Sequence, residues 1–132
     1  NDGTGDTLID AFVSVNSMTA DIYGNSSTGD SLRGSSSLTA ATDVDVNFDT
    51  AAVFTMTSSI AVDLNFTNAS IGDVKDIIVT DSGGTSSLTF DTTSNTVTTI
   101  AGSYSATAGA VNFIQVTCTA ANTFFLSISQ SV

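Results

Sequence analysis

The side chains here that could move a proton or attack a carbon are thirteen Asp, Lys75, Arg33, Tyr23, Tyr104 and Cys118. The 132 residues include no His and no Glu, while 20 are Ser and 22 are Thr. General acid–base catalysis falls first to His, then to carboxylates, Lys, Tyr and Cys. Without His neither a Ser-His-Asp triad nor a Cys-His pair can form. Cys118 lies in the alternating run 112–120 and shares parity with Ile114 and Val116. It therefore reads as a small buried hydrophobe, with no base to activate it. A Ser/Lys dyad would need Lys75, which no motif supports and which reads as an edge or surface ion pair. A two-carboxylate glycosidase needs two singled-out acids. Nothing singles out two of the thirteen Asp, and without Trp there is little to stack on a sugar ring.

Oxygen-rich metal sites are the remaining chemistry. Asp43, Asp45 and Asp49 fall on one face of an alternating run and are candidate Ca²⁺ ligands. Residues i and i+2 on a strand stand ~6.5–7 Å apart, wide for one ion unless a loop adds oxygens. The favoured reading is a solvated outer face that keeps the strand soluble, with no cofactor. The opening Asn-Asp-Gly-Thr-Gly-Asp-Thr-Leu resembles one turn of a calcium-binding Gly/Asp roll. Such rolls need several stacked copies, so a solvated terminus is the simpler reading. Sequons at Asn25, Asn65 and Asn68 arise by chance in a chain this rich in Ser and Thr.

The formal charge is −11. Phosphate contacts require Lys and Arg, so a nucleic-acid surface is not expected, and an anionic membrane is disfavoured for the same reason. No run approaches the ~18–20 apolar residues of a membrane helix. A start at Asn1, with no visible signal peptide, reads as a processed chain or a fragment. One Cys cannot close an internal disulfide.

Positioning any such groups would fall to strands. Thr, Val, Ile, Phe and Ser recur with period two between Gly, Asn, Asp and Ser clusters, and no 3.6-residue period is sustained. Residues 8–15 predict a strand with Ile9, Ala11, Val13 and Val15 on one face. Residues 24–37 are the linker-like stretch, rich in Gly and Ser. Strands follow at 42–49, 53–57, 59–67, 74–80, 87–91, 96–100, 111–120 and 123–129. The predicted inward sets are Val44, Val46 and Phe48, then Ile60, Val62, Leu64 and Phe66, then Ile114, Val116 and Cys118, then Phe124, Leu126 and Ile128. Asp81-Ser-Gly-Gly84 reads as a hairpin turn. Eight or nine short strands at this spacing predict an all-β domain, a β-sandwich or jelly roll over 38–132, preceded by an arm over 1–37.

From Leu38 onward the order of features looks familiar: Leu38-Thr-Ala-Ala-Thr-Asp-Val-Asp-Val-Asn-Phe-Asp, then Phe54-Thr-Met-Thr-Ser-Ser-Ile-Ala-Val-Asp-Leu-Asn-Phe-Thr. Ile77-Ile-Val-Thr-Asp-Ser-Gly-Gly, Ala108-Gly-Ala-Val-Asn-Phe-Ile-Gln-Val-Thr and Asn122-Thr-Phe-Phe-Leu-Ser-Ile complete it. Over roughly residues 38–130 this resembles the small β-module of bacteriophage tail fibres and head fibres. The resemblance implies a virion surface part, commonly oligomeric, and carries no catalytic residue.

The expectation is thus a non-enzymatic virion structural protein, a fibre, spike or capsid-decoration subunit. It would sit at a virion surface or outside the cell. The alternative is a secreted filament or surface-layer subunit, in which strand 8–15 completes a neighbour's sheet by donor-strand β-augmentation. Expected partners are further copies of the chain and other virion or filament proteins, with a host-surface glycan as a candidate ligand.

Overall fold

Alternation of apolar and polar residues makes each strand two-faced, so its apolar side must be covered. A computed structural model describes residues 34–131 and shows how. The described residues are all β, with no helix. The strands are β1 (Ser35–Ser37), β2 (Asp43–Asn47), β3 (Val53–Ser58), β4 (Val62–Thr67), β5 (Val74–Asp81), β6 (Leu88–Phe90), β7 (Thr96–Ala101), β8 (Val111–Ala120) and β9 (Thr123–Ser131). Strand 8–15, with Ile9, Ala11, Val13 and Val15, lies outside the described residues.

Two sheets form. One has six strands in the order β1-β3-β5-β8-β9-β7, the other three in the order β2-β4-β6. β1, β3 and β5 pair in parallel, and so do β2, β4 and β6. Each turn of the chain therefore adds one strand to each sheet, which is the winding of a β-solenoid. β7 then pairs in parallel with β9 at the far edge, while the antiparallel β8–β9 hairpin lies between β5 and β7.

This corrects the expected sandwich or jelly roll. Alternation dictates which side of a strand is buried, but it does not dictate the direction of the strand's neighbour. The Asp81–Gly84 turn is accordingly no hairpin, because β5 and β6 belong to different sheets. Ser35–Ser37, assigned to the linker by composition, pair with Val53–Thr55 as β1. Three Ser can do this because pairing with β3 asks only for backbone hydrogen bonds.

Between the sheets lie Val46, Phe54, Leu64, Ile77, Val79, Ile114, Val116, Phe124 and Leu126, all almost wholly excluded from water. Phe66 sits at their centre, 4.9 Å from the Phe124 ring, 5.8 Å from Phe48 and 5.9 Å from Phe90 between centroids. Cys118 is buried with them. Two placements depart from expectation. Ile60 was assigned inward but is 44% exposed. It precedes β4, in a bend where the Ser58 hydroxyl donates to the Ile60 carbonyl and accepts from its N–H. Lys75 was assigned to an edge or surface but is only 2% exposed. It shares the inward side of β5 with Ile77, and its Nζ lies 5.8 Å from the Phe48 ring centroid. A buried stem with a cationic head over an aromatic face is a favourable cation–π arrangement.

Candidate functional site

The most elaborate polar arrangement surrounds Asp81, the last residue of β5. Its side chain is excluded from water. Oδ1 accepts the N–H groups of Gly83 (2.9 Å) and Gly84. Oδ2 accepts the Ser86 hydroxyl and, at 3.4 Å, the Tyr104 hydroxyl. Ser86 Oγ and Tyr104 OH are also 2.8 Å apart. Asp81-Ser-Gly-Gly84 folds this way because the carboxylate can bond its own chain two and three residues on. Gly84 meanwhile occupies a left-handed conformation, φ 68°.

The Ser86 hydrogen bond, with those from Gly84 and Gly83, holds the Asp81 carboxyl below its ordinary value of 3.8, against the opposing effect of burial. Burial raises the Tyr104 hydroxyl above its ordinary value, so it stays a proton donor. A carboxylate so held is a weak base, and the Ser86 hydroxyl is committed to it. The arrangement clamps the β5–β6 turn rather than activating a nucleophile.

The clamp makes a pH-dependent contribution. A depressed folded pKa means stability that is complete above about 3.8 and lost as pH falls through the folded value. Asp91 adds in the same direction, lowered chiefly by the Thr93 hydroxyl. Thermal melts followed by circular dichroism should show a level Tm down to about pH 4, then a fall. Asp81→Asn should lower Tm at neutral pH and make the acid fall shallower. An unchanged acid slope in that variant would show that other carboxylates set it.

The outer face of the three-stranded sheet is acidic. Parallel register puts Asp43 beside Asp63 and Asp45 beside Asn65. Asn65 Nδ2 donates to Asp45 Oδ1 (2.9 Å), and the Thr89 hydroxyl donates to Asp63 Oδ1 (2.7 Å). Asp49, the third candidate ligand, lies in the turn after β2, its N–H donating to Asn47 Oδ1. Among the described residues no three His, Cys, Asp or Glu come together as a metal site. Asp43 and Asp45 share a face, as their spacing requires, with Asp63 and Asn65 beside them on β4.

The outer face of the six-stranded sheet is different in kind. Its rows run Thr55–Ile78–Phe113–Ser129, Val53–Asp76–Gln115–Ser127 and Val74–Thr117–Phe125–Thr98. Asp76 is the one ionisable group in these rows, and Gln115 Nε2 donates to its Oδ1 at 3.3 Å. Phe113 and Phe125 are each 38% exposed and Val74 is 49% exposed. A third feature is a groove of about 510 Å³ where the three-stranded sheet stops at β6 and the other continues to β7. Phe90, Val97, Tyr104 and Ile128 line it, and no charged residue does among those described.

Sequence reasoning missed the Asp81–Ser86–Tyr104 group. The Asp-x-Gly-Gly signal for the turn was present, but Tyr104 arrives from 23 residues away. No protein-family model matches the chain, and no curated protein or solved structure matches it.

Proposed function

We propose that this chain is a non-enzymatic structural subunit of a virion surface, a fibre, spike or capsid-decoration protein that self-associates and attaches to the particle. The observation that carries this reading is the winding. Parallel coils that add a strand to each of two sheets extend along one axis, and such quasi-one-dimensional folds serve as rods and scaffolds. The polar interior supports it, since Asp81, Ser86 and Asn112 are spent on turns and loops. Asn112, for example, accepts the Ser105 N–H at 2.7 Å and donates to the Ser105 carbonyl at 3.0 Å. The likeness of residues 38–130 to phage fibre modules supplies the virion setting.

An antibody raised against the purified chain tests the setting. Immunogold labelling should decorate intact virus particles from the source culture at their surface. Label confined to filaments or to the cell envelope would replace the virion by the secreted-filament alternative.

A further inference from the structure

We propose that the outer face of the six-stranded sheet is the self-association surface, covered by the same face of a second copy. The proposal rests on the self-associating role just described and names the surface that performs it.

Charge selects the face. At a formal charge of −11, two copies repel unless the surfaces that meet leave carboxylates out. The three-stranded sheet would bring Asp43, Asp45 and Asp63 against their own copies. Among the described residues, the rows of the six-stranded sheet bring only Asp76, already hydrogen-bonded to Gln115. A cationic partner would be drawn to the first face, and the second has little to offer it.

Shape selects the partner. On the antiparallel hairpin, Phe113 of β8 stands beside Ser129 of β9, and Thr117 of β8 beside Phe125 of β9. Each row thus holds one large and one small side chain, with the order reversed between the two rows. A two-fold axis lying in the interface along the strands, between β8 and β9, superposes β8 of one copy on β9 of the other. Each Phe113 then sits over Ser129 of the partner subunit, and each Phe125 over Thr117 of the partner subunit. The pattern is self-complementary, as an isologous interface requires. Short Ser and Thr side chains elsewhere allow two pleated sheets to approach at about 10 Å. Strand spacing and rise give the face roughly 25 by 27 Å, about 700 Å². A standard interface takes about 800 Å² per partner.

The test uses the full chain in sedimentation velocity across a concentration series. Wild type should form dimers or higher even assemblies, and Phe113→Asp should weaken association by at least about thirtyfold. Circular dichroism melts of the same samples establish that this exposed substitution leaves the fold intact. Phe113→Ser alone, which removes the large side chain, and Ser129→Phe alone, which fills its socket, should each weaken association. The double variant Phe113→Ser/Ser129→Phe, with large and small exchanged, should restore it, an outcome that a merely sticky patch would not produce. Failure of the double variant to recover would overturn the two-fold packing. Assembly untouched by Phe113→Asp would overturn this surface and leave the structural role standing. A wild-type chain monomeric at every concentration would overturn both.

Discussion

Phe66→Ala should destabilise the protein by about 3–5 kcal/mol, the usual cost of removing a buried Phe side chain. Phe66 belongs to β4 in the three-stranded sheet, and its nearest ring, at 4.9 Å, is Phe124 of the six-stranded one. Phe48 reaches the same Phe124 ring at 5.7 Å. These aromatic contacts join the two sheets at the centre of the core, and tilted or edge-to-face pairs add to plain burial. Truncation would leave a void between two sheets whose backbones are each held by their own ladders, so collapse cannot fill it. Urea unfolding of wild type and variant measures the difference. A change below about 1 kcal/mol would mean that the sheets are joined elsewhere.

Gly102→Ala should cost about as much, for a reason outside the core. Gly102 follows β7 with φ 77°, a conformation L side chains rarely adopt. A Cβ there would overlap the carbonyl oxygen of Ile128 in β9. The strain of the left-handed conformation is about 1–2 kcal/mol, and forcing two backbones apart adds about 1–3. Gly72 provides the control. It too has a positive φ, 97°, but open space where the Cβ would stand. Gly72→Ala should therefore show the strain alone, and the gap between the two variants measures the clash. Equal melting temperatures for the two would show that β7 and β9 part at this point without cost.

What was legible in the sequence follows from what alternation encodes. Val44, Val46 and Phe48 were assigned inward and are buried, as are Val62, Leu64 and Phe66. The bounds of β5, β7, β8 and β9 agree with the predicted runs to within two residues. Period two records one thing, which side of a strand meets the core, and it records that well. Pairing partner and direction are decided between residues far apart, such as Val44 beside Leu64 or Val97 beside Phe124, and leave no local pattern. Hence the solenoid winding was not read. β1 escaped because its three Ser look like linker, and its order comes from the backbone of β3. Lys75 escaped because hydropathy scores the ammonium group, while burial is decided by the four-carbon stem and the Phe48 face. The contrast between the two outer faces was half visible. The Asp at alternate positions of β2 were plain, but the neutral face is assembled from strands whose order no spacing reveals.

The place of the β8–β9 hairpin has a consequence for how the chain is made. Parallel coils can be laid down in order as a chain leaves the ribosome, each new strand finding the last one already in place. β7, though, is synthesised before the two strands that separate it from β5. Among the described strands, β5 keeps an edge open along its length until β8 emerges, and β7 has no neighbour until β9 does. Both are then unpaired templates for other nascent chains. β8 and β9, residues 111–131, close that gap like an inserted wedge. Chains cut short within them are the ones a cell would find aggregating.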